Sequence, residues 1–309
     1  MFSVIFPGQG SQRIGMSLEF YNKFERVKKI FKTVDDILGF ALSDIVLKGP
    51  AEKLNLTQNT QPAIMMVGYS IYSVLKNEFD INLNEAKFFA GHSLGEYTAL
   101  VCANALDLET ATYLLHERGK AMQEAVPEGI GAMLAILGLN KDQILEEINL
   151  ASVNKTCEIA NDNCPGQIVV SGDKSAIIEL AKKLKNKSIK SLLLPVSAPF
   201  HCSLIKNAAK SMKDKISNSN FRKPVPVIIS NVTARAENDP DIIKELLIEQ
   251  ITSTVRWRES LEYMIDNKTS KFIEIGPGKV LSGLVKRTNK TIKIFNINSL
   301  EDVNNYTNK

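Results

Sequence analysis

One serine in this sequence lies in a setting typical of a covalent nucleophile. Ser93 is the centre of a G-x-S-x-G motif, residues 91–95, between an apolar run that predicts a short strand and a periodic run that predicts a helix from Glu96. That context is typical of a nucleophile elbow, a strained turn that exposes the serine hydroxyl. The helix N-terminus that follows would also favour developing negative charge. An ordinary glycine-rich turn is the alternative, and the flanking strand and helix favour the nucleophile.

Because a serine hydroxyl needs a base to accept its proton, the three histidines are the first candidates for a partner. His92, beside the serine, is interpreted as a residue that shapes the turn rather than as a catalyst. His116 falls off the apolar stripe of its helix, so a solvated position is expected. His201 follows a Pro-Phe pair and is the best base by elimination. If Ser93 is not a nucleophile, His201 is interpreted as a helix-terminal histidine.

Two polar residues are predicted to face inward from apolar helices. Arg118 continues the apolar stripe of its helix, three residues after Leu115 and four before Met122. A buried guanidinium needs a partner. This leaves a structural ion pair, a snorkelling side chain or a fixed cation that grips a substrate carboxylate, and the residues alone do not decide among them. Gln250 lies with Ile243 on the inner face of a later helix, and its amide also needs partners.

The composition is that of an ordinary globular protein. The chain has 309 residues, of which 44% are hydrophobic and 23% charged, and its net charge is +4. The lysines are scattered, without a dense basic run, which argues against nucleic-acid binding. Four cysteines without a C-x-x-C pair indicate reduced thiols and no metal site. The first residues do not resemble a signal peptide and no apolar run is long enough to span a membrane, so we expect a cytoplasmic protein.

The order of the predicted elements indicates an α/β fold with an insertion. Strands alternate with helices before residue 128 and after residue 197, which is typical of a parallel sheet covered by helices. Residues 128–197 instead follow the order β-α-β-β-α-β, which is ferredoxin-like. We therefore predict a large domain of residues 1–127 and 198–309 and a small inserted domain of residues 128–197.

Three local predictions concern the large domain. Helical spacing predicts one helix over residues 16–38. A second apolar helix is predicted over residues 60–79, with Pro62 tolerated in its first turn. The polar segment at residues 303–309 is predicted to be a frayed tail.

Six segments occur in a combination that resembles a known family. They are FPGQGSQ at residues 6–12, GHSLGE at 91–96, Arg118, the Phe200-His201 pair, Gln250 ahead of VRW at 255–257, and EIGPGKVL at 274–281. With these segments the chain resembles, over nearly its whole length, the malonyl-CoA:acyl carrier protein transacylase family of dissociated fatty acid synthesis. The resemblance implies an α/β-hydrolase-like parallel sheet domain with an inserted ferredoxin-like (βαββαβ) subdomain, in agreement with the element order.

The resemblance also implies catalytic roles. Ser93 would be acylated, with His201 as its general base. The backbone N–H groups of Gln9 and Leu94 would form the oxyanion hole. The backbone carbonyl of Gln250 would orient His201, so the catalytic unit would be a Ser–His dyad without a carboxylate.

Further residues are implied to bind the substrate. Arg118 would bind the malonyl carboxylate, Asn161 would line the cleft, and Phe200 would crowd an α-methyl group and so disfavour methylmalonyl. His92 is counted with these substrate-binding positions. The implied partners are malonyl-CoA and acyl carrier protein, whose phosphopantetheine thiol receives the acyl group. No metal, cofactor, nucleic acid or membrane is expected to take part, and the chain is expected to act as a monomer.

Two other functions are considered. An α/β-hydrolase-type esterase would carry serine, acid and histidine in that order, with the histidine late, whereas a further portion of sheet follows His201 here. An inward Arg118 also has no purpose for a neutral ester. A non-catalytic protein that binds acyl carrier protein is the second alternative, and the presence of all the chemical residues disfavours it.

Overall fold

Two β-sheets organise the chain in a computed structural model that describes residues 1–127, 129–151, 154–196 and 198–308. The first part of the chain forms β1 (Phe2–Phe6), α1 (Leu18–Lys23), α2 (Glu25–Leu38), α3 (Leu42–Lys48), α4 (Ala51–Leu54), α5 (Thr57–Glu78), β2 (Phe89–Gly91), α6 (Gly95–Cys102) and α7 (Leu108–Glu124). The middle part forms β3 (Gly131–Leu137), α8 (Lys141–Ala151), β4 (Cys157–Cys164), β5 (Gln167–Asp173), α9 (Lys174–Asn186) and β6 (Ser191–Leu193). The last part forms α10 (Lys206–Ser217), β7 (Ile228–Ile229), β8 (Ala236–Glu237), α11 (Pro240–Gln250), α12 (Trp257–Asp266), β9 (Lys271–Ile275), α13 (Val280–Thr288), β10 (Lys293–Ile297) and α14 (Leu300–Thr307).

The larger sheet has six strands in the order β10-β9-β1-β2-β7-β8. The first five are parallel, as predicted, whereas β8 pairs antiparallel with β7 at one edge. Phe6 at the end of β1 pairs with Gly91 at the end of β2. The loops after these two central strands therefore open side by side at the carboxyl edge, where open α/β sheets bind their ligands.

The smaller sheet has four antiparallel strands in the order β4-β5-β3-β6. Together with α8 and α9 it follows the predicted ferredoxin-like order. Apolar side chains of the strands and of both helices form a separate core, including Ile136, Ile144 and Leu180. The predicted boundary residues Glu128 and Ser197 lie outside the described residues, so the division into domains at those positions stays a prediction.

The small sheet is attached directly to the large domain through β4. Both backbone polar groups of Val255 form hydrogen bonds with β4. Its N–H donates to Ala160 O at 2.8 Å, and its carbonyl accepts from Asp162 N at 3.0 Å. The Asp162 carboxylate, which is 2% exposed, also forms an ion pair with Arg258 at 2.8 Å. These bonds fix β4 beside the start of α12 and so place Asn161 at the border of the two sheets.

Helix α5 runs through the core of the large domain and is buried along most of its length. It packs against α7, and a side chain on Gly119 would place its Cβ 2.5 Å from the Cα of Gln58. Glycine therefore allows a close approach of the two helices that no other residue allows. Within the described ranges, no helix is both long and apolar enough to cross a membrane.

The prediction that Pro62 lies in the first turn of its helix is wrong. Helix α5 begins at Thr57, three residues before the predicted start at residue 60, so Pro62 lies inside the helix. A proline inside a helix leaves the carbonyl four residues before it without its usual donor. Here that carbonyl belongs to Gln58, and the Nδ1–H of His116 donates to it at 3.0 Å. The prediction of a solvated His116 is therefore wrong: the half-buried ring satisfies the carbonyl that Pro62 leaves free.

Two other local predictions are also wrong. The helix predicted over residues 16–38 is interrupted at Phe24, whose backbone is extended (φ −118°, ψ 118°) and whose ring packs against Phe79. The segment predicted to be a frayed tail is helix α14 up to Thr307. Ser299 caps this helix by accepting from Asp302 N, and Val303 is fully buried in the core. In both places a few aromatic or aliphatic contacts outweigh the local sequence preference.

Candidate active site

The turn between β2 and α6 has the geometry of a nucleophile elbow. Ser93 has a φ of 53°, a strained conformation for a residue with a side chain. A side chain on Gly91 would overlap the Gly95 carbonyl, and one on Gly95 would overlap the Phe6 carbonyl. Asn231 holds the turn from outside, since its Oδ1 accepts from Ser93 N and its Nδ2 donates to Gly91 O, both at 2.7 Å.

The Ser93 hydroxyl lies against an imidazole that is already oriented to accept its proton. The Ser93 Oγ is 2.8 Å from Nε2 of His201, and the Nδ1 of the same ring is 2.9 Å from the carbonyl oxygen of Gln250. Because a carbonyl only accepts, Nδ1 carries the proton and Nε2 keeps its lone pair for the serine. A backbone carbonyl thus takes the place of the acid of a triad.

The imidazole is held neutral by its surroundings. His201 is 4% exposed, and burial, followed by the positive charge of Arg118, lowers its pKa to about 3. A neutral ring at physiological pH is ready to act as a base. Its φ of 56° is a second strained backbone conformation at the site.

Arg118 is a buried cation, 1% exposed, whose partners are all neutral among the described residues. Its Nη1 donates to Gln61 Oε1 and its Nη2 to Gln250 Oε1, both at 2.7 Å. Nη2 also donates to Ser93 Oγ at 3.2 Å. Burial lowers the pKa of the guanidinium, because no directly bonded carboxylate compensates the loss of water. A fixed cation that bonds directly to no carboxylate of the described residues therefore lies beside the serine.

The backbone amides of two residues that line the same cavity as Ser93 are the predicted oxyanion donors. Gln9 lies in the loop after β1, and Leu94 precedes α6. Within the described part of the chain, neither amide donates a hydrogen bond to a protein acceptor, whereas the Ser93 amide is bonded to Asn231. Two N–H groups without a protein acceptor are free to donate to an oxyanion, and the oxyanion-hole role of Gln9 and Leu94 stays a prediction.

A cavity of about 100 Å³ brings most of the predicted site residues together. It is lined by Gln9, Gln61, His92, Ser93, Leu94, Arg118, Met122, Met133, Asn161, Leu194, Val196, Phe200 and His201. Gln250 lies behind this wall and contacts it through Arg118 and His201. The loops and helices around the large sheet therefore supply the reactive groups, and residues of the small sheet and of the segment after β6 complete the lining.

His92 is fixed at the cavity wall by its neighbours. Its Nε2 is 2.9 Å from Asn163 Oδ1, and its ring lies edge-on to Trp257, with the centroids 5.5 Å apart. Burial lowers the pKa of the imidazole. The ring is thus a neutral part of the wall that contacts β4, in agreement with a role in shaping the turn.

Sequence reasoning missed three polar residues that hold the reactive groups in place: Gln61, Glu96 and Asn231. Asn231 follows β7 at the carboxyl edge of the sheet, so its position at a strand end was a signal that could have been used. Glu96 had the appearance of an ordinary acidic residue in the first turn of a helix. Gln61 lies in an apolar helix, where only its unusual polarity pointed to a partner.

Comparison with known proteins identifies the family. The family model for the acyl transferase domain matches residues 3–307. The chain belongs to the acyl transferase domain family. Its relatives include a malonyl CoA-acyl carrier protein transacylase of Haemophilus influenzae, 40% identical over 304 residues that cover 98% of this chain and 97% of that protein.

Solved structures of acyl transferases agree with this assignment. An acyl-carrier-protein-S-malonyltransferase from Bartonella henselae is 41% identical with a TM-score of 0.96, covering 99% of this chain and 98% of that one. A malonyl-transacylase solved in complex with a type II PKS acyl-carrier protein has a TM-score of 0.95 at 36% identity, covering 99% of both chains. The predicted resemblance and the predicted α/β fold with its small antiparallel sheet are confirmed. The roles of the individual residues stay predictions.

Proposed function

We infer that this acyl transferase moves the malonyl group of malonyl-CoA to the phosphopantetheine thiol of acyl carrier protein, by way of a malonyl ester on Ser93. The observation that carries the proposal is the position of one hydroxyl between two side chains. The Ser93 Oγ lies 2.8 Å from the basic nitrogen of His201 and 3.2 Å from the guanidinium of Arg118. The first side chain activates the nucleophile, and the second binds an anionic acyl group beside it.

The first half-reaction transfers the acyl group to the protein. His201 Nε2 takes the proton of Ser93 while Oγ attacks the thioester carbonyl carbon. The carbonyl oxygen becomes an oxyanion, which the amides of Gln9 and Leu94 stabilise by about 3 kcal/mol for each donor. When the carbonyl re-forms, the carbon–sulfur bond breaks and the CoA sulfur takes the proton from His201. A malonyl ester of Ser93 and free CoA result.

The second half-reaction repeats these steps with a thiol as the nucleophile. The phosphopantetheine thiol of the carrier gives its proton to His201, and its sulfur attacks the ester carbonyl. The ester bond to Ser93 then breaks, and the serine oxygen recovers the proton from the imidazole. The same base and the same oxyanion site serve both directions, as microscopic reversibility requires.

Arg118 supplies the selectivity in this proposal. A guanidinium donates a forked pair of hydrogen bonds that matches a carboxylate. The malonyl carboxylate would replace the Ser93 hydroxyl on Nη2, which frees the nucleophile and gives the buried cation an anion. The bound carboxylate also fixes the far end of a short acyl chain and orients its thioester. Phe200, 7% exposed at the cavity wall, would crowd the α-methyl of methylmalonyl.

The surroundings of the dyad favour a transferase over an esterase. The Nδ1 of His201 bonds to a carbonyl of Gln250, whereas the esterase order of serine, acid and histidine would place a carboxylate there. None of the proposed steps needs a metal or an organic cofactor, and one chain supplies every group. We therefore propose a monomer that works without a cofactor of its own. We also propose that it acts in the cytoplasm and that neither nucleic acid nor a membrane is a partner.

One assay with two acceptors tests the proposal. The protein is mixed with malonyl-CoA that carries a labelled malonyl group, with and without phosphopantetheinylated acyl carrier protein, and labelled carrier and free malonate are measured. We expect rapid labelling of the carrier and little free malonate, with Ser93→Ala inactive. Rapid release of malonate in both mixtures would instead indicate a hydrolase. Binding of the carrier without transfer would indicate a docking protein.

A further inference from the structure

One residue behind the cavity, Gln250, contacts both the proposed base and the proposed carboxylate-binding cation. The backbone carbonyl of Gln250 orients His201, and its side-chain Oε1 accepts from Arg118 Nη2 at 2.7 Å. Its Nε2 points the other way and donates to Glu96 Oε2 at 2.8 Å and to Ser93 O at 3.1 Å. Gln250 is 1% exposed, so water does not replace these partners.

An amide has one end that accepts and one that donates, and a guanidinium only donates. Arg118 therefore needs the oxygen end of the Gln250 amide, and the nitrogen end needs acceptors on the opposite side. Glu96, 1% exposed, supplies a side-chain acceptor there. Its Oε2 also accepts from Asn231 N at 3.1 Å, which fixes the carboxyl group itself.

Without this acceptor, the nitrogen end of the Gln250 amide keeps only the longer bond to Ser93 O, and the preference that holds its oxygen on Arg118 is weakened. A rotation by half a turn would present an NH₂ group to the guanidinium and leave buried donors without acceptors, which is costly. Arg118 would then lose one of the bonds that hold its Nη2 beside Ser93. The orientation of this amide thus helps to fix Nη2, while Gln61 holds Nη1.

We propose that Glu96 is a positioning residue for the dicarboxylic substrate, because its carboxyl oxygen orients the Gln250 amide and the amide in turn holds Arg118 where the malonyl carboxylate binds. This inference rests on the proposed function, which supplies the malonyl group. It extends the site by a residue that contacts neither the substrate nor the reacting atoms.

The acceptor oxygen matters here more than the charge. Burial raises the pKa of Glu96 to about 7, against the opposing effects of the Gln250 and Asn231 hydrogen bonds and of the Arg118 charge. A protonated carboxyl group still has an oxygen that accepts. The relay therefore works in both protonation states, and a glutamine at this position keeps it intact.

The test compares two substitutions in two reactions. Glu96→Met removes the acceptor at a similar side-chain length, whereas Glu96→Gln keeps an acceptor oxygen. The first reaction is acylation by malonyl-CoA, followed as KM and kcat separately. The second is modification of Ser93 by methanesulfonyl fluoride, a neutral reagent that needs the Ser–His dyad but has no carboxylate for Arg118.

We expect Glu96→Met to raise the KM for malonyl-CoA about tenfold, which corresponds to about 1.4 kcal/mol, and to leave the sulfonylation rate within about twofold of wild type. Glu96→Gln should resemble wild type in both reactions. An unchanged KM in Glu96→Met would overturn the proposal. So would a parallel loss of sulfonylation, which indicates a general support of the elbow, or an equal effect of Glu96→Gln, which indicates the charge.

A second variant keeps the test decisive if Glu96→Met does not fold. Gln250→Met removes the side-chain amide but retains the backbone carbonyl that His201 needs. It should raise the same KM, and adding Glu96→Met to it should have no further effect on KM. An unchanged KM in Gln250→Met contradicts the relay. A wild-type protein that malonyl-CoA does not acylate would instead refute the proposed function.

Discussion

At the level of single residues, the proposed chemistry depends most directly on a neutral His201. An imidazole in water has a pKa near 6.5 and loses its basic nitrogen to protonation below that pH. In this site burial and Arg118 move the pKa down to about 3. The imidazole therefore stays unprotonated from neutral pH down to the region of its lowered pKa, and the base is available throughout that range.

This gives a prediction for the pH dependence of Ser93. The rate of its modification by methanesulfonyl fluoride should stay level between about pH 5 and pH 7, because the pKa of the free protein's base lies below that range. The measurement is the second-order inactivation rate at constant ionic strength. A fall in rate with a midpoint near pH 6.5 would show that the imidazole titrates normally, and the account of the base would be wrong.

Arg118 leads to a prediction about selectivity. Arg118→Ala should reduce kcat/KM for malonyl-CoA by at least about a hundredfold, since a buried charge-assisted hydrogen bond to a carboxylate is lost. Acylation by acetyl-CoA, which has no carboxylate, should rise relative to malonyl. Arg118→Lys is the matched control. It keeps the charge but not the fork, so it should retain only part of the activity.

Both reactions are followed by intact-protein mass spectrometry, and thermal unfolding confirms that each variant is folded. Malonyl kinetics in Arg118→Ala that equal those of wild type would refute the assigned role.

Among the helices, the contact between α5 and α7 is organised by a proline. Pro62 leaves the Gln58 carbonyl free, and His116 from α7 satisfies it. His116→Ala should therefore lower the free energy of unfolding by about 1–2 kcal/mol, the cost of an unpaired, partly buried carbonyl. In a Pro62→Ala background the helix regains its own N–H donor for Gln58, so the same substitution should cost less.

A double-mutant cycle followed by urea denaturation measures this coupling. Additive effects of Pro62→Ala and His116→Ala would show that the two side chains act independently and that the histidine has another role.

The sequence was most informative where chemistry restricts the residue type. The elbow depends on glycines at 91 and 95 that have no room for a side chain, and so its position and conformation could be predicted. The β-α-β-β-α-β order of elements around the small sheet also followed from the sequence. By contrast, the break at Phe24 depends on a contact with Phe79, which is distant in sequence, and the helix at the C-terminus depends on burial of Val303 in the core.

The supporting residues of the site were hidden for the same reason. Asn231 and Glu96 are 135 positions apart in the chain and meet only because β2 and β7 are neighbours in the sheet. Gln250 was found through its inward position, but its side-chain partners were not, since they come from α7 and from the turn and first residues of α6, far from it in sequence. Sequence pattern and spacing identify the reactive residues. The residues that hold them in position can be identified only from the folded structure.

For the molecule as a whole, the placement of the small sheet over the cavity depends on its attachment to the large domain. Asp162 is 2% exposed and pairs with Arg258, which is 26% exposed. Arg258→Ala should therefore lower the free energy of unfolding by about 2 kcal/mol, because it leaves a buried carboxylate without its partner. Lys32→Ala is the control, since its pair with Asp36 is exposed and is worth under about 0.5 kcal/mol.

The two variants are compared by thermal unfolding and by the KM for malonyl-CoA. Equal stability losses would show that the Asp162–Arg258 pair is not a link between the two parts. A loss of stability together with a raised KM would show that the position of the small sheet shapes the cavity.

The central claim is that a malonyl group resides on Ser93 between the two half-reactions, and one measurement tests it most directly. The protein is exposed briefly to malonyl-CoA, quenched in acid, digested and mapped by mass spectrometry. The account predicts one malonyl group on the peptide that contains Ser93, no such label in Ser93→Ala, and its loss on addition of phosphopantetheinylated acyl carrier protein. A malonyl group on any other residue, or carrier labelling that proceeds in Ser93→Ala, would contradict it.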